Sequence, residues 1–147
     1  MTQEDRQILL KDLSSRLPYG VRYRRFAWDD KQGEECISAK IYSISPDGYV
    51  RNYHEDESDY IDNVRPYLFP LSSLTEEQRN YISKLLIDTQ NEFPPYGELN
   101  AKGCDNLFVC SVKQANVLIN YCLANHLDIN GLIEKGLAID TTGLNIY

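Results

Sequence analysis

The chain has 147 residues, enough for one hydrophobic core or for two small lobes that share an interface. Its 42% hydrophobic and 25% charged content is that of a folded globular protein and excludes disorder over the whole length. A formal net charge of −7 counts against general affinity for phosphate backbones. Met1-Thr2-Gln3-Glu4-Asp5 has no basic start followed by an apolar run, and no stretch is long enough to span a bilayer, so neither a signal peptide nor a membrane partner is expected.

The charge is unevenly spread: residues 1–33 carry seven basic and five acidic side chains, whereas residues 34–63 carry two basic and eight acidic ones. Cys36, Cys104, Cys110 and Cys122 show no Cys-x-x-Cys spacing, which fits reduced thiols in a cytoplasmic protein.

Pro18-Tyr19, Pro66-Tyr67 and Pro95-Tyr96 mark element boundaries, because proline fixes φ and cannot donate to a ladder. Before the first, Thr2 and Asp5 have capping-box spacing, and Leu9, Leu10, Leu13 and Leu17 recur at helical intervals, predicting a helix over 3–15. From residue 21 the period changes. Residues 21–28 and 36–44 read as strands, with Ile37, Ala39 and Ile41 on one face. Ser45-Pro46-Asp47-Gly48 is a turn into a return strand at 49–53, and 60–64 is a fourth short candidate ended by Arg65-Pro66.

Leu74-Thr75-Glu76-Glu77-Gln78 combines a staple residue, a cap and a capping-box partner. It opens a helix to about residue 89, with Tyr81, Ile82, Leu85 and Leu86 as its buried stripe. Ser111 and Gln114 repeat the box before a helix to about residue 125, and Asp128 and Gly136 bracket a short terminal helix. The expected fold is α+β: an N-terminal helix, a four-stranded antiparallel sheet or small partly open barrel, then a helical C-terminal half. The lobes would be 1–70 and 71–147, separate or packed as one domain.

Two segments carry a resemblance. Val64-Arg65-Pro66-Tyr67-Leu68-Phe69-Pro70-Leu71-Ser72-Ser73-Leu74-Thr75-Glu76-Glu77 resembles a block found in small proteins encoded by prophages and mobile elements of gut anaerobes. So does Leu127-Asp128-Ile129-Asn130-Gly131-Leu132-Ile133-Glu134-Lys135-Gly136-Leu137-Ala138, and Leu17-Pro18-Tyr19-Gly20-Val21 matches the segment that precedes the block. The chain departs from the pattern at Phe69, where a basic residue is common, and at Ile139-Asp140-Thr141-Thr142. The resemblance implies a genetic context and no catalytic residues, since that family has no assigned activity.

Four constellations invite chemistry. His54-Glu55-Asp56-Glu57-Ser58-Asp59 is dense in hard-cation ligands, and a metal-dependent hydrolase with His54, Glu55, Asp56 and Asp59 as ligands is one alternative. The run lacks the glycine and closing Glu of a calcium loop, and a solvated hairpin loop is the plainer reading. Cys122 and His126 lie four apart and would share a helix face, with Cys104 and Cys110 as remote candidates for completing a zinc site. Cys122 falls on the apolar stripe, and core packing is the plainer account of it.

Arg22-Tyr23-Arg24-Arg25-Phe26-Ala27-Trp28 interleaves basic and aromatic residues in the manner of a single-strand nucleic-acid platform. Strand alternation would split it, with Arg22 and Arg24 on one face and Tyr23 and Arg25 on the other, so nucleic acid is disfavoured as a partner. Tyr42, Tyr49, Tyr53 and Tyr60 cluster in the acidic strand region; covering the helix–sheet core is their plainer role, and a partner surface is compatible with it because a tyrosine ring packs while its hydroxyl stays wet. No nucleophile elbow, phosphate loop or dinucleotide glycine pattern occurs, so no cofactor is expected. The leading reading is a non-catalytic cytoplasmic module that binds another protein through these four tyrosines. The sequence leaves its oligomeric state open.

Overall fold

Thr2 caps the first helix, α1 (Gln3–Arg16): Asp5 N–H donates to Thr2 Oγ1 and Thr2 N–H donates to Asp5 Oδ2, both at 3.1 Å. The Thr2 hydrogen bonds hold the Asp5 carboxyl below its ordinary pKa. The helix buries Leu9, Asp12, Leu13 and Arg16, which recur at helical spacing along one stripe. Half of that stripe is charged. Arg16 Nε pairs with Asp12 Oδ2 at 2.7 Å, with both side chains inaccessible to solvent. Arg16 Nη2 donates to the Leu127 carbonyl at 2.8 Å, and Asn130 Nδ2 donates to Asp12 Oδ1 at 2.7 Å.

This computed structural model describes residues 1–29, 33–53, 58–91 and 112–147, and the protein is mixed α+β. After a 3-10 turn at Leu17–Tyr19 come β1 (Arg22–Asp29), β2 (Gly33–Ile44), β3 (Tyr49–Asn52), β4 (Ser58–Tyr60) and β5 (Arg65–Leu68). They join β6 (Ile139–Asp140) in one open sheet of order β4-β3-β2-β1-β5-β6. All pairings are antiparallel except β5 with β6. The sheet therefore has six strands rather than four, and it does not curl into a barrel, because β4 and β6 remain as edges.

Two corrections follow from local bonding. The expected strand over 60–64 is displaced: β4 ends at Tyr60, and Ile61–Asn63 forms a 3-10 turn closed by Val64 N–H on the Ile61 carbonyl at 3.1 Å. The expected terminal helix over 128–136 is a series of turns, since Gly131 in its interior takes a φ of +66° and interrupts any right-handed run, whereas Gly136 takes the left-handed φ, +68°, expected at its exit. Asp128 still caps, accepting from Leu132 and Ile133 N–H at 2.9 and 2.8 Å.

The inner face of the sheet is the core. Val21, Tyr23, Ala39, Ile41, Val50 and Leu68 meet Leu9 and Leu13 of α1, Ile61 and Val64, and Leu132, Leu137 and Ala138 from the tail. The chain divides into two compact units, 1–73 with 122–147 and 74–121. In the second, Thr75 caps α2 (Glu76–Asn91) through the expected box: Gln78 N–H donates to Thr75 Oγ1 at 3.2 Å and Thr75 N–H to Gln78 Oε1 at 2.9 Å. Tyr81, expected in the buried stripe, is half exposed and lies against Tyr121, with ring centroids 5.3 Å apart. The helix α3 (Val112–Ala124) follows, and the Ser111 of its expected box lies outside the described residues. No helix among the described residues is long and apolar enough to cross a membrane.

Candidate functional site

Strand alternation sorts the side chains of the sheet. Tyr23, Arg25, Ala39, Ile41, Val50 and Asn52 are buried on the core side, while Lys40, Tyr42, Tyr49, Arg51 and Tyr53 are exposed on the outer face. The β2–β3 register shifts between Ile41 and Ser43, leaving Tyr42 as the extra residue of a bulge. The bulge aims Tyr42 across the sheet. Its ring meets that of Tyr53 edge-on, with centroids 5.2 Å apart at 69°, and both residues are 60% exposed. The Lys40 ammonium stands 5.3 Å from the Tyr53 ring centroid.

Tyr49 pairs in register with Tyr60 and meets it edge-on at 5.5 Å. Tyr60 is half-buried against the core, and the Arg6 guanidinium lies 5.5 Å from its ring centroid. Arg6 also forks onto Asp62 at 2.6 and 3.0 Å, which lowers the Asp62 pKa and raises that of Arg6. The structure therefore brings the four candidate tyrosines together as two cross-strand pairs, each with a cation beside it.

Among the described residues the outer face of β1–β4 carries no acidic side chain. Arg22 and Lys40 are register partners, and Arg24 is a partner of Ser38. With Arg51 they make the described outward charges of β1–β4 basic, and none of the described outward side chains of those strands is acidic. Arg22 is held by Ser38, donating from Nε to Oγ at 2.8 Å and from Nη2 to the carbonyl at 2.9 Å. Arg51 is exposed, and its guanidinium makes no hydrogen bond or ion pair to another described residue. The described acids of 34–63 are elsewhere: Asp47 in the β2–β3 turn, Asp59 opposite buried Val50, and Asp62 on Arg6.

Asp59, a candidate metal ligand, is hydrogen-bonded by the Tyr23 hydroxyl, and Arg25 Nε lies 3.3 Å from its Oδ2. Burial first, and this carboxylate second, raise the Tyr23 pKa. His54, Glu55 and Asp56, the other candidates, lie outside the described residues, as do Cys104 and Cys110. Among the described residues no group of three or more His, Cys, Asp or Glu converges. For Phe26, Ala27 and Trp28 the strand register is defined and the side chains lie outside the described set.

Cys122 and His126 are not carried on one continuous helix as expected, because α3 ends at Ala124 and His126 has a φ of 54°. His126 stacks on Tyr147, with centroids 3.8 Å apart and planes within 12°. Burial, reinforced by the nearby Arg16 charge, lowers the His126 pKa to about 4, so the ring is neutral at pH 7. Burial also pushes up the Cys122 thiol, which keeps it protonated and a poor nucleophile. Tyr147, whose pKa burial raises to about 12, donates to the Tyr67 carbonyl at 2.7 Å and accepts from Arg22 N–H at 3.3 Å.

The tyrosine cluster was legible in the sequence, but the basic partners Lys40 and Arg51 were missed. Period-two spacing would have found them, since Lys40 alternates with Tyr42, and Arg51 with Tyr49 and Tyr53. Comparison with known proteins returns no match: no family model, no curated protein and no solved structure resembles the chain significantly.

Proposed function

We propose that this is a small non-catalytic binding module of phage or mobile-element origin, acting in the cytoplasm on another protein through its outer sheet face. The observation that supports the reading is the pairing of Tyr42 with Tyr53 and Tyr49 with Tyr60, three of the four being exposed large aromatics. Rigid amphipathic rings held in fixed pairs lose little entropy on binding and offer both apolar area and hydroxyls. The edge strands β4 and β6 are three and two residues long, too short to template a partner strand, so the face rather than the edge is the docking element.

The genetic origin rests on the resemblance of residues 17–21, 64–77 and 127–138, and a locus with no phage or transposition genes nearby would remove that part. The binding reading is tested by pull-down from host lysate with wild type, Tyr49→Ala and Tyr53→Ala. A protein recovered by wild type and lost by the variants is expected. Equal recovery of every partner by all three would show the surface to be wrong.

A further inference from the structure

We infer that the segment received by the outer face is acidic: an extended stretch of the partner protein rich in Asp or Glu, lying across β1–β4. This rests on the protein-binding reading above and adds the chemistry of what is bound. A chain of net charge −7 presents on this one face Arg22, Lys40 and Arg51 with no described acidic side chain among them. Lys40 and Arg51 are exposed, and their charge is not neutralised by any described carboxylate. Such a face attracts carboxylates and repels basic segments. Four strands spaced about 4.8 Å apart span roughly 14 Å, the length of about four extended residues.

Nucleic acid would match the charge but not the rings. Stacking bases requires open aromatic faces. The Tyr42 and Tyr53 rings meet at 69° with Lys40 5.3 Å from the Tyr53 centroid, and Tyr49 and Tyr60 meet at the same angle with Arg6 5.5 Å from the Tyr60 centroid. The exposed Lys40 ammonium and the hydroxyls of the exposed Tyr42, Tyr49 and Tyr53 suit carboxylate oxygens better than bases.

The test uses isotope-labelled full-length protein and three probes of equal length: a Glu/Gly/Ser peptide, its Lys-for-Glu counterpart, and oligothymidylate. Amide shift changes are followed at low and physiological salt. The acidic peptide is expected to move Lys40, Tyr42, Arg51 and Tyr53, to weaken with salt, and to lose about two- to fivefold in affinity with each of Lys40→Gln and Arg51→Gln. Equal binding of the acidic and basic peptides, or no shift on this face at millimolar acidic peptide, overturns the inference. If the tyrosine variants still lose a lysate partner in that case, the protein-binding reading survives it. Tighter binding of oligothymidylate at the same amides overturns both.

Discussion

Replacing Arg16 by methionine tests the energetics of the buried pair. Arg16 and Asp12 are both inaccessible, joined at 2.7 and 3.0 Å, and Arg16 also serves the Leu127 carbonyl. Removing one partner of such a pair strands a buried charge and costs about 3–5 kcal/mol. Here Asn130 remains on Asp12 and softens the loss, which sets the expectation near 4 kcal/mol. Against a typical stability of about 5–15 kcal/mol this is a large fraction. The double variant Asp12→Leu with Arg16→Met removes both charges and is expected to lie within about 1–2 kcal/mol of wild type. Urea unfolding followed by circular dichroism reads the difference as a midpoint shift of about 2 M for the single variant, at a slope of about 2 kcal/mol/M. If the double variant is as unstable as the single one, the cost lies in lost packing and not in a stranded carboxylate.

Two further perturbations probe particular groups. His126 has a folded pKa of about 4 against an ordinary 6.5, so the unfolded chain takes up the proton first. Stability is full above pH 6.5, falls by about 2 kcal/mol by pH 5, and levels off below pH 4. His126→Asn, which tolerates the positive φ, should flatten that part of the pH profile, and an unchanged profile would assign the loss to other groups. Gly48 has φ +93° and a Cβ there would stand 3.2 Å from Ile61 Cγ2 and 3.3 Å from Tyr60 Cε2. Gly48→Ala is expected to cost about 1–3 kcal/mol in thermal unfolding, and a neutral result would mean that the turn has room to relax.

Local signals were readable where bonding is local. The Thr2–Asp5 and Thr75–Gln78 boxes and the turn at 45–48 each close within four residues and appear as expected. The tyrosine cluster was legible because its members lie on or beside three consecutive antiparallel strands, β2–β4. What failed was non-local. Pro66 looked like a strand end, yet β5 runs through it: β6 pairs only with Tyr67 and Leu68 and asks no donor of the proline. β6 itself is two residues brought from 71 positions downstream of Leu68, and no periodicity announces so short a parallel strand. The basic side chains on the described outer face were not legible from charge averaged along the chain, because a sheet divides consecutive residues between opposite faces.

The larger unit is sewn shut by its last stretch of chain. Leu132, Leu137 and Ala138 complete the core around Val21 and Leu68, Thr141 bonds the Leu68 carbonyl, and the Tyr147 hydroxyl bridges Arg22 and Tyr67. During synthesis the first 73 residues leave the ribosome well before these partners exist. Their apolar sheet face must then wait, at the usual ~5–20 residues per second, for several seconds while 74–121 is made. Closure over so long a sequence separation is slow by nature. The stage most exposed to aggregation and proteolysis is thus this nascent interval.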